Sequence, residues 1–169
     1  ALKAWELVDA AARSRLPVAI VELRFEVPAV AVDRTTDLAE GRLVTDKSGR
    51  LPAELAGLTD GAATPVLWTP VEGDWIEIDL GRDRTLAEID LDVTGTGAFD
   101  VVGYGTGERS EDAVTISRTP DLAVALRNRP GTLRWYPAPR RTRYVRLVAR
   151  GAGTLTLKRL RVRPMRTIG

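Results

Sequence analysis

Two carboxylates, Asp74 and Glu77, lie on either side of Trp75 and have the side-chain type that glycosidases use for acid–base chemistry. The chain contains no His and no Cys, which removes the commonest general base, the usual catalytic triads and thiolate chemistry. Acidic side chains are abundant along the chain, so nothing distinguishes this pair from the others. The composition therefore indicates a protein that is not an enzyme.

The glycine-rich stretch GYGTGER, residues 103–109, is a second candidate site. Its glycines are not followed by Lys-Ser or Lys-Thr and no helix is predicted after them, so this is not a phosphate loop. The pattern indicates a flexible turn. Tyr104, the second residue of this stretch, remains a candidate ligand contact.

Aromatic side chains are candidates for ligand binding, because ring faces make apolar contacts with sugars. Trp68 follows a Pro-containing loop and suits either stacking or the core, whereas Trp75 opens an alternating strand and suits the core. Trp135 and Tyr136 are neighbours in LRWYPAP, and neighbours on a strand face opposite ways. We expect one of these two to be buried and the other exposed and available to a ligand.

The elements that must position these residues are almost all strands. The only helix predicted is short, over residues 2–13, followed by an alternating strand at 21–27. Clean alternation predicts strands at 75–80 and 88–93, and residues 34–57 are predicted to be a loop with a short strand near Leu43 and Val44. Further strands are predicted at 98–104, 113–117, 122–126, 132–136, 143–149 and 154–163, the last with a bulge at Lys158 and Arg159.

Short strands separated by Gly, Pro and Asp turns are typical of a β-sandwich or barrel. We therefore predict an all-β fold with a short N-terminal helix and an extra strand. The predicted organisation is an N-terminal extension at 1–34, a β-sandwich at 35–165 and a tail at 166–169.

Charge is divided unevenly along the chain. Residues 1–121 hold all 23 acidic residues and 12 basic ones, a net charge of −11, whereas 122–169 hold 13 basic residues and no acidic one. Such asymmetry raises the question of a nucleic-acid partner. The chain has no RNA-binding aromatic motif, helix-turn-helix or zinc-finger spacing, so nucleic acid is disfavoured.

The strand pattern suggests another explanation of the charge. Outward positions of the early strands are carboxylates and those of the late strands are guanidiniums, as expected if these strands are neighbours joined by ion pairs of roughly 0.2–1 kcal/mol each. A basic face that binds an anionic polymer, and a protein interface, are the alternatives. The outward carboxylates are Glu77, Asp79, Glu88, Asp90 and Asp92, and the basic face comprises Arg146, Arg150, Arg159, Arg161 and Arg163.

Four motifs in residues 38–81 resemble the discoidin family, also called coagulation factor type C or galactose-binding-like domains. They are LAEG at 38–41, LTDG at 58–61, Trp68, and WIEIDLG at 75–81. The similarity continues through AEIDLDV, FDVVGYGTG and TRYVRLVARGAGTLTLKRLRV, and covers about residues 36–163. The resemblance implies an eight-stranded jelly-roll β-sandwich whose loops at one end bind glycans, lipid headgroups or proteins.

In sugar-binding members of that family a Ca²⁺ ion lies near the Asp-Gly turn. The resemblance implies that Asp60 and Thr64 would be two of its oxygen ligands, and that Asp60 and Trp68 lie where relatives bind. This chain departs from the pattern, because Lys158 and Arg159 stand where the last strand should offer a carboxylate. The alternative to Ca²⁺ is an Arg side chain that pairs with Asp60.

These observations favour a binding or adhesion module that recognises a glycan or other surface polymer. The alternative is a structural subunit of a virion, phage tail or surface appendage, in which the same fold contacts neighbouring subunits or a second copy. The sequence shows neither a run of 18 apolar residues nor the order of a secretory signal. An extracellular, cell-surface or virion location is expected.

The chain has no Gln and a single Asn, Asn128, while Arg, Asp and Glu are plentiful. Depletion of thermolabile amides is typical of proteins from hot environments. A GC-rich genome produces a similar bias, so both origins stay open.

Overall fold

The computed structural model describes residues 31–62, 64–108, 111, 113–119, 122 and 131–166. The predicted helix at 2–13 and strand at 21–27 lie outside these residues, as does the predicted strand at 122–126 apart from Leu122. Within the described part, no helix is long and apolar enough to cross a membrane.

Within the described residues, eight antiparallel strands form two sheets that share one strand, β3. One sheet has the order β1–β3–β7–β4–β5 and the other β2–β8–β3–β6. This confirms the predicted all-β jelly-roll sandwich. The strands are β1 Val44–Asp46, β2 Val66–Trp68, β3 Trp75–Thr96, β4 Phe99–Tyr104, β5 Val114–Arg118, β6 Gly131–Trp135, β7 Arg141–Ala149 and β8 Thr154–Pro164.

The two strands predicted at 75–80 and 88–93 are halves of one 22-residue strand, β3. Its pairing register with β7 shifts between Asp79 and Arg84. Gly81 has a φ of 83°, and its N–H donates to the Asp79 carboxylate at 2.8 Å. The chain therefore bends near Gly81 while the strand continues, and β3 passes from the first sheet into the second.

The predicted bulge at Lys158 and Arg159 is confirmed, since Leu91 and Val93 of β3 pair with Leu160 and Leu157 of β8. Between these two pairs the single β3 residue Asp92 thus faces two residues of β8, Lys158 and Arg159. This extra residue keeps Leu157 and Leu160 on the buried side of the strand.

Two elements were not predicted. Residues 52–58, expected to be loop, form a helical turn, α1 (Pro52–Leu55), followed by a 3₁₀ turn (Ala56–Leu58). Pro52 suits a first helical position, and the N–H of Leu51 donates to the Glu54 carboxylate at 2.8 Å. β2 has only three residues, which is too short for its alternation to be recognised.

The core lies between the two sheets and centres on Phe99. Trp68 and Trp135 contact Phe99 edge to face, with ring centroids 6.5 Å and 6.2 Å away. Full burial of such side chains stabilises the fold by about 1.5–3 kcal/mol each. Both sheets contribute fully buried residues, among them Ile76, Ile78, Leu147, Ile89, Leu91, Leu160 and Val162.

Ion pairs join the acidic strand β3 to the basic late strands, as predicted. On the first sheet Arg146 pairs with Glu77 at 2.7 Å, and Arg143 with Asp79 at 2.8 Å. On the second sheet Arg161 lies 3.6 Å from the Asp92 carboxylate. Four of the five arginines of the predicted basic face pair with carboxylates: Arg146, Arg161 and Arg163 with β3, and Arg150 with Asp100 of β4.

Glu88 and Asp90, predicted as exposed partners in this ladder, are instead fully buried. Arg163 lies 2.6 Å from the Asp90 carboxylate and also bonds Glu88, while Arg134 donates to Asp90 at 2.7 Å. Arg34 donates to Glu88 at 3.1 Å. The arginines cover the carboxylates and exclude water. Removing one partner therefore leaves a buried charge without a counterion, which does not happen when an exposed ion pair is broken.

We expect Asp90→Asn to lower the free energy of unfolding by about 2–3 kcal/mol, because Arg134 and Arg163 both lose a charged acceptor. Urea denaturation at neutral pH measures this. The control is Asp92→Asn on the same strand, whose partly exposed pair should contribute under about 1 kcal/mol. Equal losses for the two variants would contradict a buried charge cluster.

The same cluster predicts a pH dependence. Burial raises the pKa of Asp90, but hydrogen bonds and charge from Arg134 and Arg163 outweigh it, so this pKa lies below its ordinary value of 3.8. A lowered folded-state pKa contributes stability that is present above the unfolded pKa and is lost as pH falls through the folded one. Urea denaturation between pH 7 and pH 3 should therefore show a smaller acid loss for Asp90→Asn than for the wild type. Equal losses of stability in acid for the two proteins would show that Asp90 does not contribute to the pH dependence.

Candidate functional site

A small polar pocket of about 190 Å³ lies where β1 ends and β3 begins. The loop between β1 and α1 forms one wall, and the loop between β2 and β3 forms the other. We call it the β1 pocket; it is lined by Asp46, Lys47, Ser48, Arg50, Leu67, Trp68, Thr69, Asp74 and Trp75.

Asp46, the last residue of β1, organises the first wall. Its carboxylate accepts hydrogen bonds from Ser48 Oγ at 2.8 Å, the Arg50 N–H at 3.0 Å and Arg50 Nε at 2.5 Å. Burial raises the pKa of Asp46, but the bonds from Arg50 and Ser48 outweigh it and lower this pKa overall. Arg50 also donates to the Leu67 carbonyl at 2.8 Å, so this wall is rigidly attached to β2.

Asp74 organises the second wall. One of its oxygens accepts the Val71 N–H at 3.0 Å and closes the turn before β3, while the other lies 3.4 Å from Lys47 Nζ. Lys47 also reaches the Gly73 carbonyl at 3.4 Å. Lys47 and Asp74 are 53% and 29% exposed, so this ion pair bridges the two loops at the mouth of the pocket.

Two indole rings complete the pocket. The Arg146 guanidinium lies 4.3 Å from the centroid of the half-buried Trp75 ring, a cation–π contact on the outer sheet face. Trp68 is only 5% exposed and packs in the core. The pocket thus combines charged donors and acceptors with aromatic edges. Drug-sized ligands usually occupy about 300–1,000 Å³, so its volume suits a smaller, hydroxyl-rich group such as one sugar ring.

The structure does not bring all the predicted site residues together. Trp68 lines the β1 pocket, but Asp60, Tyr104 and Tyr136 lie elsewhere. The expectation for the aromatic neighbours is confirmed, since Trp135 packs against Phe99 and Tyr136 is 63% exposed. Ligand contacts by these residues stay predictions.

Tyr104 is held in the outer face of the first sheet. Its ring stacks on Tyr144 with centroids 4.7 Å apart, and its hydroxyl donates to the Glu77 carboxylate. Burial and the neighbouring Glu77 charge raise the pKa of the Tyr104 phenol. A tyrosine that is 6% exposed with its hydroxyl already bonded contributes mainly to packing.

The Asp60 turn lies at a separate place, against β8. Asp60 accepts the Ala62 N–H at 2.8 Å, and Arg159 donates to the neighbouring Gly61 carbonyl at 2.9 Å. The predicted pairing of an arginine with the Asp60 carboxylate is not found in the described part of the chain, because Arg159 bonds the neighbouring turn carbonyl instead. Among the described residues, no three acidic side chains lie close enough to hold a metal ion. The Arg159 guanidinium places a positive charge beside the turn oxygens that would have to hold Ca²⁺, which disfavours the ion here.

We expect millimolar Ca²⁺ and EDTA each to leave the melting temperature of the wild type unchanged, because a ligand that does not bind the native state does not stabilise it. Differential scanning calorimetry with both additions measures this. A rise in melting temperature that grows with Ca²⁺ concentration would contradict the placement of the Arg159 guanidinium on the Gly61 carbonyl.

Most residues of the β1 pocket were not predicted to bind a ligand. TDKSGR, residues 45–50, has closely spaced opposite charges between two predicted elements, which is a weak local signal. Asp74 lies 27 residues after Lys47 in the chain, and only the pairing of β1 with β3 brings these two side chains together.

Comparisons with known proteins identify the fold. No family model and no curated protein sequence matches the chain. Among solved structures, the carbohydrate-binding module CpGH89CBM32-4 of Clostridium perfringens, in complex with GlcNAc-α-1,4-galactose, has a TM-score of 0.56 and 15% identity over 76% of this chain and 93% of its own.

Two further structures have the same architecture. Chitosan-binding module 1 from a chitosanase/glucanase of Paenibacillus sp. IK-5 has a TM-score of 0.58 and 20% identity, covering 75% of this chain and 98% of its own. The lectin domain of lectinolysin, complexed with Lewis B antigen, has a TM-score of 0.56 and 15% identity, covering 76% and 96%. The described sandwich is thus a galactose-binding-like, discoidin-like fold. None of these three structures is described as a virion or tail subunit, so they lend no support to the structural-subunit alternative.

Proposed function

We propose that this chain is a non-catalytic glycan-binding module whose ligand site is the β1 pocket. The observation that carries the proposal is the Lys47–Asp74 ion pair at the pocket mouth, beside Trp75 and above the rigid Asp46–Arg50 pair. The three similar structures support it as well, since each is described as binding a saccharide or is complexed with one.

The ion pair suits neighbouring hydroxyl groups. Lys47 Nζ has three donors, and its two contacts of 3.4 Å are long enough to be exchanged for shorter bonds to a ligand. Asp74 offers the carboxylate oxygen that does not bind Val71. One sugar hydroxyl can accept from Lys47 while its neighbour donates to Asp74, and charged groups make the stronger hydrogen bonds to a sugar.

The rigid pair behind them holds the site in place. Asp46 and Arg50 satisfy each other and the loop backbone, so binding does not have to order this wall. The lowered pKa of Asp46 keeps its carboxyl ionised. An ionised carboxyl of this kind cannot be the general acid that protonates a glycosidic leaving group.

The partner in this proposal is a glycan of a cell surface or extracellular polymer. An array carrying GlcNAc-α-1,4-galactose, chitosan oligomers and Lewis B among other glycans, probed with the whole chain, identifies the preferred one. Absence of binding to every glycan, together with a stable assembly in solution, would contradict the proposal and favour the structural-subunit alternative.

We expect Lys47→Ala and Asp74→Asn each to weaken binding of the best array glycan by roughly tenfold or more, since a hydrogen bond to a charged group contributes about 1.5–3 kcal/mol. Asn retains an acceptor for the Val71 N–H, so the turn before β3 should survive. Isothermal titration calorimetry measures affinity. The matched control is Glu72→Gln, an exposed charge change in the same loop outside the pocket, and a loss as large as that of Asp74→Asn would place the site elsewhere.

A further inference from the structure

A larger cleft, of about 810 Å³, lies at the opposite end of the sandwich. It is enclosed by the bend of β3, the end of β8 and the segment 32–36, and we call it the β8 cleft. Leu155 pairs with Trp68 and so lies beside the β1 pocket, whereas Pro164 lines the β8 cleft. These two residues are nine positions apart along β8. At about 3.3 Å per residue the two sites are separated by about 30 Å.

Two of the arginines that line the β8 cleft have no carboxylate partner among the described residues. Arg84 and Arg166 line it, and within the described part of the chain neither forms an ion pair or a side-chain hydrogen bond. Arg141, opposite the lining residue Thr85 in the β3–β7 pairing, is exposed and likewise has no ion pair among the described residues. This contrasts with the arginines of the ladder, whose guanidiniums are bound to carboxylates.

A fourth arginine adds a fixed positive charge. Arg34 lines the cleft and holds Glu88 with both guanidinium nitrogens, at 3.1 Å and 3.4 Å. Its side chain is still 59% exposed, so part of the guanidinium faces the cleft. Glu88 is buried and also pairs with Arg163. The positive charge of Arg163 therefore largely offsets the negative charge of Glu88.

Asp33, a carboxylate that lines the β8 cleft, forms no ion pair with these arginines among the described residues. Both of its oxygens accept bonds from its own turn, from the Thr35 N–H at 3.0 Å, the Thr35 hydroxyl at 2.6 Å and the Thr36 hydroxyl at 2.8 Å. Three arginines against one carboxylate leave the lining with an excess of positive charge, and three threonines add hydroxyl groups to it.

We infer that the β8 cleft binds an anionic saccharide, one that carries carboxylate or sulfate groups. Guanidinium groups bond such groups in a bidentate manner, and the threonine hydroxyls can contact the sugar. The cleft volume lies within the range of about 300–1,000 Å³ typical of ligand sites, and is large enough for more than one sugar ring.

The lining also argues against nucleic acid. Binding of single strands depends on aromatic side chains on which bases stack, and none of the described residues lining the cleft is aromatic. For the same reason a neutral sugar has no ring to stack on here. Charge, rather than stacking, is thus the basis of recognition, which sets the β8 cleft apart from the β1 pocket.

The test compares dextran, carboxymethyl-dextran and dextran sulfate of equal length, together with single-stranded DNA of matched charge, as ligands of the whole chain in calorimetry at low and moderate salt. The wild type should bind the two charged dextrans and not dextran, with affinity that falls as salt screens the contacts. The stronger of the two charged polymers identifies carboxylate or sulfate as the preferred group.

Arg84→Ser with Arg166→Ser should weaken binding of the charged dextrans roughly a hundredfold, about tenfold for each guanidinium removed. Arg118→Ser with Lys158→Ser removes the same net charge from exposed sites elsewhere and should weaken it less than about threefold. Arg84→Lys with Arg166→Lys keeps the charge but loses the bidentate geometry and should fall between the two. This lysine variant also covers the case in which the serine variant does not fold.

Three outcomes would overturn the inference. The first is equal losses for the cleft and control variants, which would show binding through net charge alone. The second is that DNA binds more tightly than both charged dextrans and that this binding is lost in the Arg84→Ser, Arg166→Ser variant. The third is a lower melting temperature with unchanged dextran binding, which would assign these arginines to packing.

The β1 pocket is tested separately by the same reagents. Lys47→Ala should leave charged-dextran binding unchanged, and the cleft variant should leave binding of the array glycan unchanged. Loss of one activity without the other distinguishes failure of this inference from failure of the proposed function.

Discussion

The pairing of β3 with β7 and β8 is the constraint on which the rest of the molecule depends. β3 belongs to both sheets, and its outward side chains are carboxylates whose partners are arginines from strands about 70 residues further along the chain. Without those arginines the acidic strand would repel itself, and Glu88 and Asp90 would be buried without counterions. The ladder therefore requires the early and late parts of the chain to come together, and it orients the loops at both ends.

This ladder also determines where binding chemistry can occur. Arginines along the middle of β7 and β8 are bound to carboxylates, and Arg159 is bound to the Gly61 carbonyl. The candidate sites therefore lie away from the middle of these two strands. One end of the sandwich has the Lys47–Asp74 pair in a small pocket, and the other has a wider cleft lined by Arg84 and Arg166, which form no ion pair with any described residue.

Local patterns predicted a large share of the fold, because strand alternation depends on neighbouring residues. The strands around Ile76, Ile89 and Leu147 were predicted in this way, and so was the bulge before Leu160. The continuity of β3 as one strand was not predicted, since a bend through Gly81 and a true turn have similar sequences. Burial of Glu88 was also missed, because alternation shows which way a side chain points and not what covers it.

The sequence by itself determined the fold class, the direction in which the strand side chains face and the matching of early acids with late arginines, since each follows from residue type and a period of two. The tertiary structure alone decided the candidate sites. Lys47 and Asp74 meet across two loops, whereas Arg84, at the bend of β3, and Arg166, just beyond the end of β8, line one cleft. Such sites depend on contacts between residues distant in the chain, and the physical reason is that loop closure and strand pairing, not local periodicity, bring those residues together.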